Sequence, residues 1–312
     1  MGHTVSASGK IILLGEHAVV YGKPAIAVPL SALRANAQII PSTQNSGLKI
    51  TAVDLGNREF VVDAHSAQSQ DPLVVAAWLL LNDLNCPPPD AHIILHSDIP
   101  LASGMGSGAA VTTALFRALS YLISKPLSDV QMNELVYEIE KIYHGTPSGI
   151  DNTVIVFEQP IYFVRGNSLE RLTITRPLTL LVADTGMAAS TKIAVGDVRT
   201  LYETDRPSTA EVLDTIADLV VIGRTALEQG DHHNLGKVMN ENHNLLQQLT
   251  VSSPLLDKLV TVARNAGSFG AKLSGGGRGG NMIALVSEDR ASFVKAQLLE
   301  AGAVKVYQTV VS

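Results

Sequence analysis

A strand-like segment, Ala91 to His96, leads into PLASGMGSGAAVTTA at Pro100 to Ala114, where Gly104, Gly106 and Gly108 open directly onto a helix-forming sequence. That order constrains the fold, because a strand must end in a flexible loop whose far side is the start of a helix. The first N–H groups of a helix have no intrahelical partner, and its dipole adds partial positive charge, so an anion binds there without a basic side chain. Glycines allow close backbone approach and positive φ. The stretch is not a P-loop, which needs G-x-x-x-x-G-K-[ST]; no Gly-Lys-Ser/Thr follows. A phosphate loop of another kind and a plain glycine-rich turn before a core helix both fit these residues.

Composition narrows the classes. With 312 residues the chain suits one large or two medium domains. Its apolar-rich stretches, such as Val74 to Leu81 and Ile216 to Ile222, fall short of the roughly 18 residues a membrane helix needs. The N-terminus lacks a basic start, an apolar block and a small-residue cleavage site, so no signal peptide is expected. The single Cys86 excludes an internal disulfide and a multi-cysteine zinc site, which together favour a cytoplasmic protein. Net charge is −6 with no basic cluster, so the footprint of a nucleic-acid binder is missing. No membrane or nucleic-acid partner is expected.

Patterning predicts a mixed α+β chain. Val5 to Leu14 reads as a strand, and Gly15 to Val20 as a second apolar stretch paired with it, ending at the turn Tyr21 to Pro24. Leu48 to Ala52 and Glu59 to Val62 are short strands. Pro72 introduces a helix over Leu73 to Leu84, broken by Cys86-Pro87-Pro88-Pro89. Ser128-Asp129 starts a helix running to about His144 and stopping at Gly145-Thr146-Pro147. Val154 to Phe157, Ile161 to Val164 and Leu178 to Ala183 read as strands, and Thr191 to Gly267 as mostly helical. The end reads as strand Asn281 to Val286, helix Arg290 to Ala301 and strand Val304 to Val310. A shift of composition near Val182 to Thr191 marks a boundary, giving domains of residues 1–185 and 186–312.

Three further constellations carry chemistry. Glu140 lies at a helix end, and Asp151 just past the turn of HGTPSGIDN. Such carboxylates suit a split role, one holding Mg²⁺ and the other accepting a hydroxyl proton, although each also fits as an ordinary helix or turn residue. Lys10 sits beside apolar Ile11 to Leu14, either paired with a carboxylate such as Asp151 or reaching solvent from a strand end. KLSGGGRGGN at Lys272 to Asn281 formally contains G-x-G-x-x-G, but a strand rather than a helix follows, which rejects a dinucleotide fold. The loop either wraps a phosphate or substrate, with Arg278 supplying charge, or is a tight hairpin. His232, His233 and His243 have no metal-ligand spacing, and Ser148 lacks a nucleophile elbow.

In order and spacing, SASGKIILLGEHAVVYGKPAIA at Ser6 to Ala27, PLASGMGSGAAV at Pro100 to Val111 and KLSGGGRGG at Lys272 to Gly280 resemble the three motifs of the GHMP small-molecule kinases. GEHAVVYG and HGTPSGIDN resemble the branch that phosphorylates mevalonate. The resemblance implies a two-domain α+β fold, with an N-terminal ribosomal protein S5-like domain and a C-terminal ferredoxin-like domain, and ATP with Mg²⁺ as co-substrate and cofactor. It implies that Asp151 is the catalytic base with Lys10 beside it, and that His17, Glu16, Thr191 and Ser148 serve mevalonate. Ser103, Gly104, Met105, Gly106, Ser107, Gly108 and Ala109 would hold the ATP phosphates, and Ser274, Gly275, Gly276, Gly277 and Arg278 would form the third loop. Glu140, with Ser107, would hold Mg²⁺. A homodimer is a further family expectation. The chain departs from the family pattern at Gly108, where serine is usual, at Arg278 within the third loop, and at Ser8, where proline is usual.

Overall fold

The computed structural model describes residues 2–42, 46–63, 65–101, 103–144, 147–188 and 190–312. The chain forms two compact units. One comprises Met1–Gly9, Leu33–Leu101 and Gly106–Glu158, and the other Lys10–Ala32, Ala102–Met105 and Gln159–Ser312. Strands β1 (His3–Leu14) and β2 (Ala25–Pro41) pair with one another, and each contributes residues to both units.

The first unit contains β3 (Leu48–Ala52), β4 (Arg58–Val62), α1 (Pro72–Asp83), β5 (Ala91–Ser97), α2 (Ser107–Leu122), α3 (Asp129–His144) and α4 (Ile150–Phe157). Here β3 pairs antiparallel with β4 and parallel with β5, and β5 runs antiparallel to residues 35–41 of β2. Ala91, Ile93 and Leu95 alternate inward along β5, and α2 packs over them with Ala110, Ala114 and Phe116 buried. Burying a side chain such as Phe116 contributes about 1.5–3 kcal/mol. Asp71 caps α1 by accepting from the Leu73 N–H at 3.1 Å, and Pro72 occupies a first-turn position where no N–H is needed.

Two expectations are corrected. Val154 to Phe157 is not a strand but the end of helix α4. Gly149 enters it at φ 89°, and Thr153 Oγ1 donates to the Gly149 carbonyl at 2.6 Å. Val154, Ile155 and Val156 are all buried, and α4 packs against α2 and α3; tertiary packing overrides the strand preference of β-branched residues. Gly15 to Val20 is likewise not strand. Gly15 turns the backbone at φ 95°, where a Cβ would lie 2.6 Å from the Ala25 Cα, and a 3₁₀ turn follows over Ala18–Tyr21. The expected helix stop at Gly145-Thr146 lies outside the described residues.

The second unit adds β6 (Ile161–Phe163), β7 (Glu170–Arg171), β8 (Leu178–Asp184), α5 (Thr191–Thr204), α6 (Arg206–Gln229), α7 (His232–Gln248), α8 (Pro254–Asn265), β9 (Gly270–Ser274), β10 (Asn281–Val286), α9 (Glu288–Glu300) and β11 (Lys305–Val311). An antiparallel sheet of order β11-β8-β10-β9 carries α8 and α9 against it. Its core includes Leu181, Leu273, Ala284, Leu256 and Val294. The hairpin β9–β10 has Ser274 opposite Asn281, so the third glycine loop is its tip. Among the described residues no helix is long and apolar enough to cross a membrane.

Candidate active site

In the second unit, β1 ends in the turn carrying Glu16 and His17. β9 runs into the glycine loop, and Ser190 caps α5 by accepting from the Ile193 N–H at 3.3 Å, which leaves Thr191 at the start of the helix. Thr191, Ser274, Gly276 and Gly277 line a cleft with Ser103 and Gly104 of the first glycine-rich segment. Gly276 packs against Thr191, where a Cβ would stand 3.0 Å from Thr191 Oγ1. Gly277 has φ 79°, and a Cβ there would meet the Val251 carbonyl at 1.9 Å, so only glycine fits. Asn281 Nδ2 donates to the Ser103 carbonyl at 2.6 Å, and the Lys10 N–H to the Met105 carbonyl at 3.0 Å. Met105 itself is buried, so its side chain packs beneath the loop.

The polar groups behind this cleft are deeply buried. Glu16 is 1% exposed and Lys272 wholly buried, and the two form an ion pair. Burial raises the Glu16 carboxyl and lowers the Lys272 ammonium, and the charge of each opposes the shift of the other. Lys10, also buried, adds a second positive charge acting on Glu16. His17 has φ 62° and bonds through Nε2 to the Gly276 carbonyl at 3.0 Å. Because a carbonyl only accepts, Nε2 carries the proton, and Nδ1 is a buried acceptor with no partner among the described residues. Burial lowers the His17 pKa to about 4, with the Arg278 and Lys272 charges adding to the drop and the Gly276 bond opposing it. His17 is therefore neutral at pH 7.

Arg278 of the third loop is anchored to its surroundings. Its guanidinium pairs with Asp197 on α5, its Nε donates to the Thr250 carbonyl at 3.3 Å, and its backbone N–H donates to the Val251 carbonyl at 2.7 Å.

In the first unit, Gly106 precedes α2 at φ 76° with no side-chain cap, which leaves the first-turn N–H groups at Ser107, Gly108 and Ala109 as the donors the sequence offers for an anion. Glu140 on α3 is 5% exposed, and its Oε1 lies 3.5 Å from where a Gly108 Cβ would stand. Among the described residues no group of three or more His, Cys, Asp or Glu forms a metal cage. One buried carboxylate beside a helix N-terminus instead fits Mg²⁺, which keeps several waters and takes substrate phosphate oxygens. Asp151 lies in the first turn of α4, where the helix dipole accommodates a carboxylate, and Ser148 Oγ accepts from the Ile150 N–H at 3.4 Å.

The sequence assigns no role to Lys272 or Asn281, although one opens the third motif and the other directly follows it. The available signal was a lysine between apolar Ala271 and Leu273, at a strand position with no route to solvent.

The GHMP kinases N terminal domain matches residues 72–159 and the GHMP kinases C terminal domain matches residues 224–304. The chain is 35% identical over 299 residues to a mevalonate kinase of Pyrococcus abyssi, covering 90% of this chain and 87% of that one. It is 34% identical over 316 residues to a mevalonate kinase of Thermococcus onnurineus, covering 95% and 93%. The crystal structure of L. major mevalonate kinase in complex with R-mevalonate superimposes with a TM-score of 0.84 and 31% identity, covering 99% of this chain and 96% of that one. The chain belongs to the GHMP kinases and, within them, to the mevalonate kinase family of enzymes. Its fold is the two-domain GHMP kinase fold of mixed helix and sheet.

Proposed function

We propose that this enzyme transfers the γ-phosphoryl group of ATP to the 5-hydroxyl of mevalonate, giving 5-phosphomevalonate and ADP. The observation that carries the reading is the glycine-lined cleft, with Thr191 and the third-motif glycines around it and His17 anchored behind it, in a chain of the mevalonate kinase family.

The 5-hydroxyl oxygen attacks the γ-phosphorus, the new O–P bond forms as the bond to the β–γ bridging oxygen breaks, and ADP leaves. Asp151 accepts the hydroxyl proton. The Lys10 ammonium stabilises the developing negative oxygen, and the uncapped N–H groups from Ser107 to Ala109 hold phosphate oxygens. Glu140, with Ser107, would hold Mg²⁺; when bound, that ion neutralises charge on the β- and γ-phosphates. At Gly108 no side chain intervenes, which leaves space for a water ligand beside Glu140. His17, uncharged and with its Nε2–H held by the Gly276 carbonyl, serves mevalonate as a neutral side chain. Positioning and charge neutralisation carry most of the rate, as in phosphoryl transfer generally.

A domain boundary near residue 185 belongs to the same reading; one family model ends before it and the other begins after it. A homodimer follows from family membership, and a cytoplasmic location from the single Cys86. The deciding experiment offers ATP with mevalonate, phosphomevalonate, homoserine or galactose and follows ADP release with ³¹P NMR of the product. Turnover is expected with mevalonate. ADP release driven only by another acceptor, or nucleotide binding without product, would overturn the assignment.

A further inference from the structure

Lys272 lies wholly buried on β9. Burying an ammonium is costly unless it is paired, and replacing a buried ion pair by apolar residues of similar volume is often neutral or stabilising. Stability alone therefore does not account for this pair. What it joins does.

Nζ donates to Glu16 Oε1 and, at 2.6 Å, to the Leu273 carbonyl. Glu16 immediately precedes His17, whose backbone is held at φ 62° and ψ −45°, an uncommon state for a residue with a side chain. Two residues beyond Lys272, Ser274 Oγ donates to the Ile12 carbonyl at 2.8 Å, and two further on, Gly276 receives the His17 Nε2–H at 3.0 Å. Three ties thus bind the end of β1 and its turn to the end of β9 and its loop, and Lys272–Glu16 is the charged one. Lys10 is the other cation acting on Glu16.

Resting on the phosphotransfer proposed above, we propose that Lys272 is a positioning residue: its pairing with Glu16 fixes the His17 imidazole against the Gly276 carbonyl. Lys272 touches no substrate and acts through these two residues.

The test compares the full-length protein with Lys272→Met, Glu16→Gln and the double variant by thermal melting, by steady-state kinetics with ATP and mevalonate, and by ¹⁵N NMR of the His17 imidazole. Lys272→Met should lose about 10- to 100-fold in kcat/KM for mevalonate, the scale of a misplacement near 1 Å, with KM for ATP changed less. The double variant buries no unpaired charge, so it should regain the wild-type melting temperature without regaining kcat/KM. Both variants should lose the hydrogen-bonded Nε2 signature of His17. Recovery of kcat/KM in the double variant, or an unchanged His17 signal, would reduce the pair to a structural one and overturn the proposal. Should Lys272→Met fail to fold, the double variant decides. If the wild-type protein does not phosphorylate mevalonate, the functional reading fails, while the His17 signal still reports whether Lys272 positions the turn.

Discussion

The Arg278 guanidinium is paired with Asp197 on α5, so the one cation within the third glycine loop is tied to the helix that begins at Thr191. Both side chains are partly exposed, and such pairs are worth less than about 1 kcal/mol. Arg278→Ala and Asp197→Asn should therefore produce similar small changes in KM for ATP, and the double variant should add little to either. An arginine that stabilised the transferring phosphoryl would cost about 10³-fold or more in kcat when removed. Steady-state kinetics on the three variants separates these roles, and a loss on that scale in Arg278→Ala alone would move Arg278 into the reaction.

Asp151 is the proposed proton acceptor. Asp151→Asn keeps size and hydrogen bonding while removing the acceptor, so kcat should fall roughly 10²- to 10⁴-fold. A folded variant, shown by circular dichroism, with near-normal turnover would remove Asp151 from the mechanism.

Gly108 occupies the first turn of α2, and a Cβ there would make ordinary contact with Glu140 Oε1 at 3.5 Å. Serine fits this space, and its better helix propensity should stabilise the fold by about 0.5 kcal/mol. Its hydroxyl would also add an oxygen donor beside the carboxylate. Gly108→Ser should accordingly melt at or slightly above the wild-type temperature and reach half-maximal rate at lower Mg²⁺, measured at fixed ATP. A higher Mg²⁺ requirement would place the cation away from Gly108.

What the sequence made legible was whatever is written locally. Ala91 to His96 reads as a strand and is β5, and Pro72 marks the start of α1. The two glycine-rich segments stood out because their glycines are clustered within a few positions of one another. Helix α4 was misread because Val154, Ile155 and Val156 form an apolar run of the kind either a strand or a buried helix can have, and only packing on α2 and α3 decides. Lys272 was passed over for a different reason: its partner Glu16 lies 256 positions away, and His17 finds the Gly276 carbonyl across 259. Contacts made by tertiary folding leave no local pattern. The aim of Arg278 depends in the same way on where α5 lies.

His17 and His243 give the stability a defined pH dependence. Burial lowers both to about 4 from an ordinary value of 6.5; at His243 the Arg264 charge adds to the drop, and nearby Asp257 opposes it. Between pH 6.5 and about 4 the unfolded chain binds protons that the folded chain refuses, so unfolding becomes easier as pH falls through that window, and the full contribution is present above it. Urea midpoints should therefore decline on acidification from pH 7 toward pH 5, more steeply than carboxylate titration alone would give. His17→Gln removes one of the two groups. Relative to its own value at pH 7, that variant should lose less stability by pH 5 than the wild-type protein does. Parallel pH profiles for the two proteins would mean that His17 takes up a proton in the folded state, which would break the argument for a neutral acceptor at Nδ1.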